Sequence, residues 1–193
     1  MLNMLYDMVK RHASPKAIWV TLACFVLSLA LINGKPFGVA QLKAMTGGVG
    51  ILDMEMGYSP QKAYDHLTAL GEAGRAFHLH YIVPQDFIFP AIYSIFYVLT
   101  TTFLFRKLFA EHHALQKLSL LTLLGGLADY CENLCIVTML LDYPAQHATL
   151  ANIANVLTLA KFGGVGLAYL LLLAGVFGVG FNAARERFRR KNL

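Results

Sequence analysis

The chain has 193 residues, 57% of them hydrophobic and only 14% charged, which excludes an ordinary soluble domain. Its formal charge is +5, and the basic residues gather beside the apolar runs, so no nucleic-acid partner is needed to account for them. Cys24, Cys131 and Cys135 fall inside apolar runs without metal-type spacing and read as packing residues.

Four segments are long and apolar enough for a bilayer core, which takes about 20 helical residues. They cover about 17–33, 82–105, 118–141 and 151–181. The first is short, yet its apolar run is long for a signal peptide and no small-x-small cleavage site follows, so a retained anchor is expected. The fold class predicted is all-α: a four-helix transmembrane bundle forming one domain over 1–193, with a short extracytoplasmic helical segment at 34–81.

Loop charge sets the orientation. Lys10, Arg11 and Lys16 precede the first span; Arg106, Lys107 and Lys117 follow the second; "RERFRRKNL" ends the chain. Segment 34–81 balances four Lys/Arg against four Asp/Glu, and 142–150 carries only Asp142. The positive-inside rule then puts both termini in the cytoplasm of a multi-pass inner-membrane protein.

Within 34–81, Ser59 followed by Pro60 predicts a helix start, and Gly71 predicts its end. A second helix is expected from about Glu72, running into the second span past Pro84 and Pro90. In the fourth span Ala160, Gly164 and Ala168 recur every four residues, as do Ala174 and Gly178, a small-residue stripe for close helix contact.

The informative stretch is "LADYCENLCIV", 127–137, which carries Asp129, Glu132 and Asn133 on one helix face inside a span. At about 1.5 Å rise per residue, Asp129 lies roughly 17 Å from the cytoplasmic side and Glu132 roughly 21 Å. The second span brings Asp86 about 6 Å below the outer surface, with Tyr93 two turns deeper on the same face. The fourth repeats Asn152, Asn155, Thr158 and Lys161 at intervals of three, placing Lys161 about 15 Å down. An isolated Asp or Lys at the centre of a span costs roughly 2.5–3.5 kcal/mol, so these groups are expected to face one another. Arg75, His78 and Tyr81, three residues apart in "GRAFHLHY", are expected to roof the cluster, with His80 pointing elsewhere. His66, His112, His113 and His147 read as loop or surface residues.

Asp86, Asp129 and Glu132 outnumber Lys161, so either one carboxyl stays protonated or a further cation arrives: Arg75, a metal or a ligand. The ligand-binding set expected is therefore Arg75, His78, Asp86, Tyr93, Asp129, Glu132, Asn133, Asn155 and Lys161. Three functions fit it. The cluster binds a small ligand, cation, proton or lipid head group, a homodimer or larger membrane complex then being expected. Alternatively it is an enzyme acting on a lipid or lipophilic small molecule, with Glu132 or Asp129 as general acid/base and Lys161 and Arg75 stabilising negative charge. Or it is the structural network of an accessory subunit. Nothing in the sequence identifies a cofactor.

Gly74–Arg75, then Asp86, Phe89, Pro90 and Tyr93, then Asp129, Glu132 and Asn133, then Lys161 together resemble the pattern of a family of small four-span bacterial membrane proteins. The likeness covers about 52–161 and implies that these polar positions form one site; it brings no activity. That family pattern has an aromatic where this chain has His78. "DYCEN" also resembles the Asp-Trp-Cys-Glu segment of alkaline ceramidases, seven-span hydrolases with a histidine-held zinc. The apolar runs here contain no histidine, so neither that zinc nor any other metal is expected.

Overall fold

A computed structural model of the chain describes residues 1–111 and 113–191, so His112 lies outside the described residues. The described residues form helices and turns without a strand. Helix α1 (Leu2–His12) is amphipathic, burying Tyr6 and Val9 while Met4 and Met8 stay exposed. Its Lys10, Arg11 and His12 sit at the C-terminal end, where the helix dipole favours cations.

Helix α2 (Pro15–Asn33) starts where expected from its chemistry: Ser14 Oγ accepts the Ala17 N–H at 3.3 Å, and Pro15 occupies the first turn. It fully buries only Ile32 and leaves Trp19 70%, Val26 57% and Leu31 60% exposed. A helix apolar all round with so little covered is suited to hydrocarbon surroundings. Four helical stretches are long and apolar enough to cross a membrane: Pro15–Asn33, Gly71–Leu108, Ala114–Asp142 and Ala148–Arg190.

Segment 34–81 is a packed cap rather than a loose loop. It contains α3 (Val39–Met45), a 3-10 turn (Leu52–Met54), α4 (Pro60–Ala69) and α5 (Gly71–Phe77). Ser59 Oγ accepts the Lys62 N–H at 3.2 Å, and Gly71 takes a left-handed φ of 66° at the corner between α4 and α5. Leu42, Leu52, Ala63 and Leu67 are fully buried with Met139 and Ala154 from the two helices beneath. Helix α5 continues through a π turn (His78–Ile82) into α6 (Val83–Leu108), so the expected long helix forms, but with a wider turn in the middle.

The third apolar stretch begins as a 3-10 helix (Ala114–Leu123) and becomes α7 (Leu124–Asp142). The last is α8 (Ala148–Lys191), 44 residues long and ten residues past the expected end of its span. Helices α7 and α8 form the most extensive pair in the molecule. They meet at Gly125 and Gly164, where a Cβ on Gly164 would lie 2.5 Å from the Gly125 nitrogen. On the other side of α7, a Cβ on Gly126 would run into Ser94 Oγ of α6. Gly164 and Ala168 thus lie on a contact face, whereas Ala160 is exposed. Helix α2 leans on α6 through Phe25, whose ring stacks on Phe96 at 5.5 Å. Cys135 is buried, and Cys24 and Cys131 are exposed.

Candidate ligand-binding site

Helices α6, α7 and α8 bring their polar residues together below the cap. Lys161, 6% exposed, is the centre. Its Nζ lies 2.7 Å from Glu132 Oε2, as an ion pair rather than an aligned hydrogen bond. It donates to the Asp53 carbonyl at 2.9 Å and to Asp53 Oδ2 at 3.3 Å. Asp129 Oδ1 stands further off, at 4.0 Å.

Glu132 is fully buried and held on its other oxygen by the Thr158 hydroxyl, one turn before Lys161 on α8. Tyr58 from the cap lies 3.4 Å from Thr158 Oγ1, and its backbone N–H donates to Asn155 Oδ1 at 2.8 Å. Burial pushes the Tyr58 phenol up to about 12, so it keeps its proton, and with the Thr158 proton directed to Glu132 the phenol is left as the donor. Asp53, Tyr58 and Lys161 therefore fasten the 51–58 stretch of the cap onto α7 and α8. This half of the cluster is closed.

The other half is open. A cavity of about 420 Å³ lies under the cap, with Asp53, Asp86, Asp129 and Lys161 on its wall. That size is in the range of small-molecule sites. The Tyr93 hydroxyl donates to Asp129 Oδ2 at 2.8 Å. Asp86 is only 8% exposed, yet among the described residues no hydrogen bond or ion pair reaches its carboxylate; its backbone carbonyl accepts Asn133 Nδ2 at 2.8 Å. Asp53 Oδ1 is also buried without a partner. Much of the remaining wall is apolar or aromatic, with Phe25 and Leu29 from α2, Phe89 and Tyr97 from α6, and Phe162 and Val165 from α8, while Asn33 adds a polar side chain from the end of α2. At the rim stand Lys43 and Glu55; Glu55 is held below the usual carboxylate range by Lys62, 2.8 Å away.

Of the expected residues, the structure assembles Asp86, Tyr93, Asp129, Glu132, Asn133, Asn155 and Lys161. Glu132 sits behind Lys161 and off the cavity wall, and Asn133 and Asn155 hold backbone. Arg75 and His78 do not roof the cavity. Arg75 donates to the Leu67 carbonyl at 2.9 Å, near the C-terminal end of α4, and stacks 3.8 Å over the Tyr143 ring. His78 is buried at 2% exposure away from the wall, and Tyr81 is in an aromatic group with Phe37 and Phe77. His80 is turned outward, its Nδ1 on the Ala76 carbonyl. The π turn explains the difference: it widens the helix across 78–82, so a 3.6-residue count does not carry Arg75 onto the Asp86 face.

Asp53 is the residue sequence reasoning missed. Its one sequence signal is an acid flanked by Ile51, Leu52 and Met54 in an otherwise polar, glycine-rich connection. Among the described residues no group of three or more His, Cys, Asp and Glu is placed to hold a metal ion. No family model, curated protein or solved structure matches the chain.

Proposed function

We propose that the chain is an integral membrane binding protein whose acid-lined cavity, in the outer half of the bilayer beneath the 34–81 cap, takes up a positively charged small ligand or lipid head group. One observation carries this reading: a buried carboxylate, Asp86, lines the cavity, and among the described residues no hydrogen bond or ion pair reaches it. An uncompensated buried acid is costly, and a chain with only a structural network would gain by closing it.

Charge accounting favours a cation. Four buried carboxylates, Asp53, Asp86, Asp129 and Glu132, share the single ammonium of Lys161. That ammonium is paired with Glu132 and donates to two oxygens of Asp53, so most of its capacity is taken up inside the protein, and the other ammonium on the wall, Lys43, stands exposed at the rim. The free acceptors, Asp53 Oδ1 and the Asp86 carboxylate, call for a ligand that is positive and donates hydrogen bonds.

The test is thermal unfolding of the purified protein with ethylamine hydrochloride, against sodium acetate as the anionic control. Ethylammonium is expected to raise Tm saturably, as mass action requires, and acetate is not. Asp86→Asn is expected to leave the ligand-free Tm unchanged or higher and to abolish the shift. The reading fails if Asp86→Asn lowers the ligand-free Tm and ethylammonium leaves the wild type unmoved, since Asp86 would then be part of a closed structural network.

A further inference from the structure

A second space adjoins the cavity. Between α2 and α6 an apolar groove of about 240 Å³ is lined by Leu27, Ser28 and Leu31 on one side and Ile88 and Ile92 on the other. Two residues, Ile32 and Phe89, border both groove and cavity. Gln85 closes the groove toward the cap, its amide donating to the Phe37 and Tyr81 carbonyls at 2.8 and 2.7 Å.

Acid-lined and apolar compartments placed end to end have the shape of an amphiphile. Resting on the cation-binding reading above, we propose that the ligand is a primary amine on a long apolar chain, with its ammonium among Asp53, Asp86 and Asp129 and its chain in the α2–α6 groove. A primary ammonium brings three N–H donors, which the unpartnered oxygens of Asp53 and Asp86 require; a quaternary ammonium brings none. The ring of Tyr93, which also lines the cavity, adds cation–π attraction. For a ligand arriving from water, each methylene buried in the groove multiplies affinity by up to about fourfold. Displacing Ile32 and Phe89 joins the two spaces. A free long-chain amine and an amine-bearing phospholipid share this chemistry.

The experiment titrates dodecylamine, ethylamine and dodecanol into the purified wild type, Asp86→Asn, and the groove-filling Ser28→Trp. Leu27→Trp is the second groove variant, at a site 61% exposed where added bulk is tolerated. Dodecylamine is expected to bind the wild type at least a hundredfold more tightly than ethylamine, and to lose at least tenfold in Asp86→Asn and in either groove variant. Ethylamine is expected to ignore the groove variants. In a parallel arm, native mass spectrometry from nanodiscs counts retained phosphatidylethanolamine against phosphatidylglycerol. Preferential ethanolamine lipid identifies a lipid source, and dodecylamine binding without that preference identifies a free amine; both uphold the proposal. Asp86-dependent binding of ethylamine and dodecylamine with equal affinity would overturn the tail while leaving the cation cavity standing. Equal, Asp86-independent binding of dodecanol and dodecylamine would overturn the amine assignment and the cavity reading with it.

Discussion

Lys161 reaches out of its own helix to two other parts of the chain, Glu132 on α7 and Asp53 in the cap. Removing one member of such a buried set leaves the others charged and unpaired. Lys161→Met is therefore expected to cost about 3–5 kcal/mol, and Glu132→Gln less, because Asp53 still holds the ammonium. The double variant is expected to recover much of the loss from Lys161→Met. A double-mutant cycle by chemical denaturation in mild detergent measures this; strict additivity would show that Lys161 and Glu132 are not a unit. Asp86 is expected to behave oppositely, since among the described residues none loses a partner when its charge is removed. This contrast separates residues that hold the cap from the residue that lines the cavity.

At the scale of elements, backbone approach sets where the polar groups meet. Glycine at 125 and 164 lets α7 and α8 come close enough for Lys161 to reach Glu132. Gly164→Ala is expected to cost about 1–3 kcal/mol, because its Cβ would press on the Gly125 backbone, which cannot turn aside as a side chain would. Gly163→Ala, with nothing within 4 Å of the added atom, is the control and is expected to be neutral or mildly stabilising. Thermal unfolding of the two variants in the same detergent distinguishes them. The four apolar helices, the Ser59–Pro60 helix start and the meeting of Asp129, Glu132 and Lys161 were legible in the sequence, because hydropathy, capping and the cost of buried charge are local or additive signals. The descent of Asp53 and the turning away of Arg75 were not. The first depends on a tertiary dip of an irregular segment, and the second on a π turn that spacing arguments cannot see.

For the whole molecule, the basic residues at Lys10, Arg11, Arg106 and Lys107 gather at the end opposite the cap, where Arg106 donates to the Lys10 carbonyl and Lys10 pairs with Glu111. With α8 carrying a further basic stretch, we propose from the positive-inside rule that this end is cytoplasmic and the cap external. Met54→Cys, 63% exposed in the native protein, is expected to react with a membrane-impermeant maleimide in intact cells. Phe188→Cys, 73% exposed, is expected to react only after lysis, and the reverse pattern would invert the topology. On that proposal the cavity lies toward the external leaflet, capped by 34–81 and flanked by α2, the least buried of the four apolar helices.

The most direct measurement is a high-resolution map of the protein purified with its own membrane lipids in nanodiscs. The account expects non-protein density in the cavity with an atom about 3 Å from the Asp86 carboxylate. A cavity filled by the protein's own side chains, or Asp86 turned out to the lipid, would contradict it.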